Sequence, residues 1–230
     1  MNKYILLIQV IKKYVMWIIY FFCPFLVTKR NRINAVNNIN AGKSVFFVPH
    51  ADDELLGTGY YLLEHRLDSY LIFLSNTGSK KDVENRKKRE QEFETFCRDN
   101  KIEFCYIDDN YRVESFLKDA NNIFLPSLID WHREHRDVNF VACALCDKYS
   151  ISKVYWYNIS VPLSYSESVV YYPGKIKFDK YRLFKVFYKS QTNIPVFRFK
   201  TKERIYGYEC GVWKAEKCLE LEFEHWKKII

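Results

Sequence analysis

The chain is expected to fold as an α/β domain, with a mostly parallel sheet carrying helices on both faces, preceded by an apolar N-terminal helix. Three observations predict this. From residue 44 onward, short β-branched and aromatic runs alternate with longer amphipathic or charged stretches, the order that builds parallel sheets from βαβ units. The 230 residues suffice for one domain with a sizeable core. Hydrophobic residues make up 48% and aromatics 18%, against only 7 Gly and 6 Pro, which excludes disordered, collagen-like and low-complexity classes.

Residues 1–30 are strongly apolar, yet Lys12 and Lys13 split them and leave an uninterrupted run from Tyr14 to Val27. That run is shorter than the roughly 20 residues of an ordinary span. A basic flank, Lys29-Arg30-Asn31-Arg32, follows it and no small-residue cleavage site does, so an uncleaved membrane-associating segment is expected rather than a signal peptide. Its aromatic residues and flanking lysines suit a helix lying in or dipping into the interface, with Pro24 able to bend it. A buried helix packed on the domain, or a tilted span with Lys12 and Lys13 snorkelling, is the alternative. Residues 31–43, rich in Asn, read as a linker, and the folded domain is expected over 44–230.

Within that domain, Ser44 to Val48 is a short buried-strand run, followed by a loop and a helix from about Glu54 to His65. Tyr70 to Leu74 is a second strand, closed by the turn signal Asn76-Thr77-Gly78. Asp82 to Asn100 is a charged helix with apolar positions on one face. Ile102 to Ile107 and Asn122 to Pro126 read as strands, and Asp130 to Lys148 as a helix. Cys143 and Cys146 form a CxxC inside that last apolar stretch. With no second pair to complete a zinc site, their i,i+3 spacing fits one buried helix face.

The formal charge of +8 and a pI near 9.0 favour anionic partners: phosphorylated or nucleotide sugars, lipid headgroups or nucleic acid. No zinc-finger, RNP or helix-turn-helix signature accompanies the scattered basic residues, so nucleic acid is not the expected partner. Seven cysteines without disulfide spacing suit a reducing compartment, hence a cytoplasmic protein held at the cytoplasmic side of a membrane.

In parallel sheets, ligands bind beyond the carboxyl ends of strands, and two histidine motifs fall there. Pro49-His50-Ala51-Asp52-Asp53-Glu54 follows the first strand, delivering an imidazole and three consecutive acids into one turn. Such a concentration of negative charge calls for a cation or a helix N-terminus. His132-Arg133-Glu134-His135 opens the later helix with both imidazoles on one face. One His and one Asp from the first motif and one His from the second make a two-His, one-carboxylate set, which in catalytic zinc sites leaves a position for water. An adjacent carboxylate and a second imidazole are what acyl-transfer chemistry then needs.

These two motifs resemble the PIG-L family of zinc-dependent N-acetylglucosaminyl deacetylases, also called LmbE-like, whose pattern is (P/A)HPDDE with a later HxDH. The similarity runs from about Ser44 to at least Lys148, with echoes at Tyr188-Lys189-Ser190-Gln191 and near Ala215-Glu216; Asn76-Thr77-Gly78 resembles a post-strand turn of the family, and Arg89 and Glu92 its RxxE element. The resemblance implies a Rossmann-like fold in which His50, Asp53 and His135 bind Zn²⁺, with Fe²⁺ or another divalent ion as the alternative. It implies Asp52 as general base, His132 as the group that polarises or protonates the tetrahedral intermediate, and Arg89 as a substrate contact. The implied reaction removes the acetyl group from a GlcNAc-like sugar, lipid- or nucleotide-linked. A soluble thiol-precursor glycoside as substrate, or a catalytically silent sugar-binding homologue, is the alternative. Ala51 replaces the usual Pro, and Glu134 replaces the Asp of HxDH, which puts the groups behind the two histidines in question.

Overall fold

The structure, a computed structural model, describes residues 42–75, 83–160, 169–174, 179–192 and 194–230, together with Val15 and Ile39. The expected apolar segment 1–30, most of the linker 31–43 and the Asn76-Thr77-Gly78 turn therefore lie outside the described residues. Among the described residues, no helix is long and apolar enough to cross a membrane.

Strand β1 (Lys43–Val48) is a buried interior strand of the sheet, and its alternating side chains divide the molecule. Phe46 and Val48 point to one side; Val45 and Phe47 point to the other. The chain continues through α1 (Asp53–Glu64), β2 (Ser69–Phe73), α2 (Val83–Asp99), β3 (Glu103–Tyr106), α3 (Asn110–Asp119), β4 (Ala120–Pro126) and α4 (Arg133–Cys146). It ends with β5 (Lys153–Tyr157), β6 (Val169–Pro173), α5 (Lys180–Phe187), α6 (Val196–Cys210), β7 (Ala215–Glu222) and α7 (Phe223–Ile229).

The seven strands form one sheet in the order β3-β2-β1-β4-β5-β7-β6. The first five are parallel: Val45 pairs with Tyr70 of β2 and Ile123 of β4, and Ile123 pairs in turn with Val154 of β5. β7 runs antiparallel to both β5 and β6, so the sheet is mixed at one edge and mostly parallel. Apolar residues of α1, α2 and α5, with Phe199 of α6, cover one face, while those of α3, α4 and α7 cover the other. The expected α/β fold with helices on both faces is what the structure contains. Helix α3 and everything after α4 are additions to the elements that the sequence pattern singled out.

Two local features shape the helix that follows β1. Gly57 lies so close to β5 that a Cβ there would stand 2.4 Å from the Tyr157 ring, which is why a residue without a side chain is needed at this contact. One residue further on, Thr58 leaves helical geometry (φ −136°, ψ 29°) and kinks α1. The Tyr60 and Tyr61 N–H groups released by the kink donate to the buried Glu216 carboxylate of β7, at 2.9 and 3.2 Å. Cys143 and Cys146 pack with the α4 face of the core, as their spacing predicts.

Candidate metal centre

The strand order reverses between β1 and β4: the chain proceeds outward to β2 and β3 on one side and to β5 on the other. The crevice beyond the carboxyl ends of β1 and β4 is thus a topological switch point, where open α/β sheets place ligands. His50, Asp52 and Asp53 follow β1 directly, and His132 and His135 follow β4.

Three donor atoms meet there. His50 Nδ1 stands 3.0 Å from Asp53 Oδ2 and 3.0 Å from His135 Nε2, and His135 Nε2 stands 3.0 Å from Asp53 Oδ2. They are a closed triangle of two imidazole nitrogens and one carboxylate oxygen. Asp53 and His135 are buried, and His50 is half-buried. Burial penalises the Asp53 charge, but His135 and His50 overcome that and hold its carboxyl below the usual range. Burial likewise works against a charged His135, yet Asp53 and Asp130 raise its pKa to about 10.

Behind His135 lies a residue to which the sequence assigned no role. Asp130 Oδ1 accepts from His135 Nδ1 at 3.0 Å and from the His132 N–H at 3.3 Å. Its Oδ2 accepts the Ile159 and Ser160 N–H groups at 2.8 and 3.0 Å. Burial opposes its charge, but His135 and these backbone donors hold the Asp130 carboxyl below its ordinary range. With Nδ1–H committed to Asp130, His135 turns Nε2 toward His50 and Asp53, and in the ion-free site its raised pKa keeps a proton there, shared with the Asp53 carboxylate. A divalent cation bound by the three donor atoms would take the place of that proton. The carboxylate–imidazole arrangement behind them is the usual support of a metal-ligating histidine. The residues therefore fit a two-His, one-carboxylate metal site.

This arrangement answers the question raised by Glu134. Glu134 is exposed in the first turn of α4, and the acid behind the histidines is Asp130. It also corrects the expected helix start. Residues 130–132 are not helical; α4 begins at Arg133, because the Asp130 side chain turns inward and His132 is extended (φ −71°, ψ 132°). A sequence signal for Asp130 existed: an acid at the end of the apolar β4 stretch, just ahead of the second histidine motif.

Asp52 is buried at the start of α1 in a left-handed backbone conformation, φ 113°, that non-glycine residues rarely adopt. Its own N–H donates to Glu54 Oε2 at 3.1 Å, and its carbonyl receives the Leu55 and Leu56 N–H groups. Burial raises its carboxyl pKa well above the usual range, Asp53 and Glu54 add to that, and Arg89 and His135 oppose it. Glu54 is itself buried, with its pKa raised to about 8 mainly by desolvation, and it accepts a hydrogen bond from Tyr188 Oη. Glu54 thus belongs to the core at the start of α1.

His132 sits at the exposed rim, its ring centroid 4.9 Å from that of His135 and 5.9 Å from that of His50. Partial desolvation, then His135 and His50, lower its pKa. Arg89 reaches the site from α2: its charge acts on Asp52, while its buried Nε meets no hydrogen-bond partner among the described residues. Three residues after it, Glu92 takes the Ser190 N–H at 2.8 Å and the Ser190 hydroxyl at 2.5 Å. The neighbouring Gln191 donates to the Ala51 carbonyl at 3.3 Å. The turn from Tyr188 to Gln191 thus clamps the His50–Glu54 loop from outside. His65 stacks on Tyr61 and His225 is exposed, both away from the triangle.

No protein-family model and no curated protein matches the sequence. Solved structures share the fold at low identity. A conserved protein from Thermus thermophilus superposes with a TM-score of 0.59 at 17% identity, over 78% of this chain and 94% of that one. The zinc-inhibited form of teicoplanin deacetylase gives 0.55 at 12%, over 78% and 98%. The deacetylase of the antimicrobial A40926 pseudoaglycone gives 0.54 at 11%, over 80% and 99%.

Proposed function

We propose that this chain is a divalent-metal-dependent N-deacetylase of the PIG-L or LmbE-like kind, removing the acetyl group from a GlcNAc-like sugar carried on a lipid or nucleotide. The observation that carries this reading is the triangle of His50, Asp53 and His135 with a buried, proton-attracting Asp52 beside it. Support comes from the fold shared with two solved deacetylases of glycopeptide antibiotics. Zinc is the first candidate ion, and the zinc-inhibited form of one neighbour makes its concentration a variable to control.

An ion held by His50, Asp53 and His135 would supply Lewis acidity toward water and toward the amide carbonyl. Asp52 is the proton acceptor for the attacking water, since burial and its acidic neighbours make its carboxylate basic. Asp130 holds the His135 ring in place through Nδ1. His132 faces the developing oxyanion from the rim and, with Asp52, returns a proton to the departing amine. Arg89 meets the substrate's hydroxyls or phosphate, its Nε being a donor that no described acceptor satisfies. The products are acetate and the free amino sugar. The apolar segment 1–30 would hold the enzyme against the cytoplasmic face of a membrane.

The test measures acetate release from a panel of N-acetylated sugars, free, nucleotide-linked and lipid-linked, across a range of zinc concentrations. Asp52→Asn should keep the backbone conformation, because Asn also tolerates positive φ, and should lower turnover about 10²- to 10⁴-fold. An Asn variant as active as the parent would remove Asp52 from the mechanism. Failure of every substrate at every ion concentration would overturn the reading as a whole.

A further inference from the structure

Helix α6 carries an exposed stripe that neither the sheet nor the metal centre uses. Phe197, Lys200, Arg204 and Tyr208 recur at the spacing of one helix face, and Trp213 joins them just beyond Gly211, which ends the helix. The three aromatics are large and open to solvent: Trp213 is 72% exposed, Phe197 67% and Tyr208 54%. Arg204 lies over the Trp213 ring at 4.9 Å, and Lys200 lies over Tyr181 at 5.3 Å. No described carboxylate pairs with either cation. The two acids of α6 are occupied elsewhere, Glu203 by Lys180 and two tyrosine hydroxyls, Glu209 by Lys217 and Tyr171. The stripe is therefore aromatic and cationic without a compensating negative charge.

We propose that this face of α6 docks on an anionic lipid surface. Trp, Tyr and Phe exposed together on one side suit the headgroup boundary, where an amphipathic ring is apolar at one end and wet at the other. Lys200 and Arg204 complement negatively charged headgroups, each basic side chain adding attraction that falls away within a Debye length. The apolar run from Tyr14 to Val27 is a separate membrane signal in the sequence, and two weak signals give stable attachment where one does not. The opposite face of α6 bears on the metal centre. Lys202 Nζ donates to the Asn158 carbonyl at 2.7 Å, next to the Ile159 and Ser160 N–H groups that hold Asp130. Docking through α6 would thus bring a lipid surface to a helix whose inner side braces the site. The inference stands independently of the deacetylase reading.

The test uses the full chain with vesicles of phosphatidylcholine alone or mixed with phosphatidylserine, both in brominated form. Because residues 14–27 can hold the protein on either vesicle, the readout is local: the fluorescence quenching lost when Trp213→Phe is compared with the parent. Trp213 should be quenched on anionic vesicles, and high salt should weaken that quenching. Lys200→Glu with Arg204→Glu should abolish it and weaken anionic-vesicle binding roughly tenfold or more, with the thermal melt unchanged. Phe197→Ser provides a second, uncharged variant expected to reduce quenching. Vesicle-bound protein in which Trp213 is not quenched, or is quenched equally on neutral vesicles and in the charge-reversal variant, would overturn the proposal. So would Trp213 emission that answers to protein concentration without lipid, which assigns the face to a second copy, or to single-stranded RNA and not to vesicles.

Discussion

Asp130 shows how one buried carboxylate decides what two histidines can do. It fixes which His135 nitrogen carries the proton and, through the Ile159 and Ser160 N–H groups, ties that choice to the segment after β5. Asp130→Asn keeps the shape but loses the charge that makes His135 a strong donor. Metal affinity, read by competition with a chelating dye, should fall about 10- to 100-fold. Unchanged affinity would show that the ring is oriented by packing alone. Glu54 makes a different demand. Its carboxyl titrates near pH 8 in the folded chain and near 4.5 unfolded. Between those values the folded state holds a proton that the unfolded state has released, so stability falls as pH rises through the window and levels off above it. Each unit of that displacement corresponds to about 1.36 kcal/mol. Glu54→Gln, neutral throughout and still able to accept the Asp52 N–H, should flatten the dependence in metal-free urea melts between pH 5 and 8. A parent whose stability rises over this range would refute the protonated Glu54.

At the scale of elements, the kink in α1 and strand β7 are one device. Non-helical geometry at Thr58 frees the Tyr60 and Tyr61 N–H groups, and Glu216 receives both while also pairing with Lys180 at 2.6 Å. Lys180 reaches Glu203 of α6 at the same 2.6 Å, so α1, α5, α6 and β7 share one buried ionic cluster. Glu216→Ala would leave two buried N–H groups without an acceptor and an ammonium with one carboxylate fewer. The expected cost is about 3–5 kcal/mol, the usual price of breaking a buried pair, read as a lower urea midpoint. A loss below about 1 kcal/mol would mean that water replaces the carboxylate. The same cluster explains what the sequence concealed. From Ser44 to Cys146, buried strands are apolar runs and helices have charged outer faces, so most elements and their order could be read directly. β7 is written Ala215-Glu216-Lys217-Cys218-Leu219-Glu220-Leu221-Glu222, and two of its charged residues, Glu216 and Lys217, are buried because Lys180 of α5 and Glu209 of α6 neutralise them. A charge that is satisfied only across the fold looks like surface in one dimension. His50, Asp52, Asp53, His132 and His135 were legible as motifs, whereas the roles of Asp130 and of the turn from Tyr188 to Gln191, visible in sequence only as an acid ahead of a motif and a faint echo, come from contacts made across the fold.

For the molecule as a whole, the candidate metal centre joins segments that only the completed sheet brings together. His50 and Asp53 come from the loop after β1, and His135 comes from the helix after β4, at the point where the strand order reverses. In the unfolded chain these side chains are separated by more than the whole of α2 and α3, so an ion that needs all three binds the folded state and stabilises it by mass action. At a free concentration about 100 times Kd the gain is roughly 2.7 kcal/mol, and a chain of this size shifts its melting temperature by about 2–4 °C for each kcal/mol. Zinc, or the competing divalent ion that fits better, should therefore raise Tm by about 5–10 °C, and a chelator should reverse the rise. His135→Ala should abolish the dependence on metal; because the ring is buried between Asp53 and Asp130, the variant should also melt below the metal-free parent, and the comparison is of how each melt responds to the ion. The melting temperature of the parent must follow ion concentration and that of the variant must not. Parallel behaviour of the two would place the ion on some other set of groups and leave the triangle of His50, Asp53 and His135 as a hydrogen-bonded cluster alone.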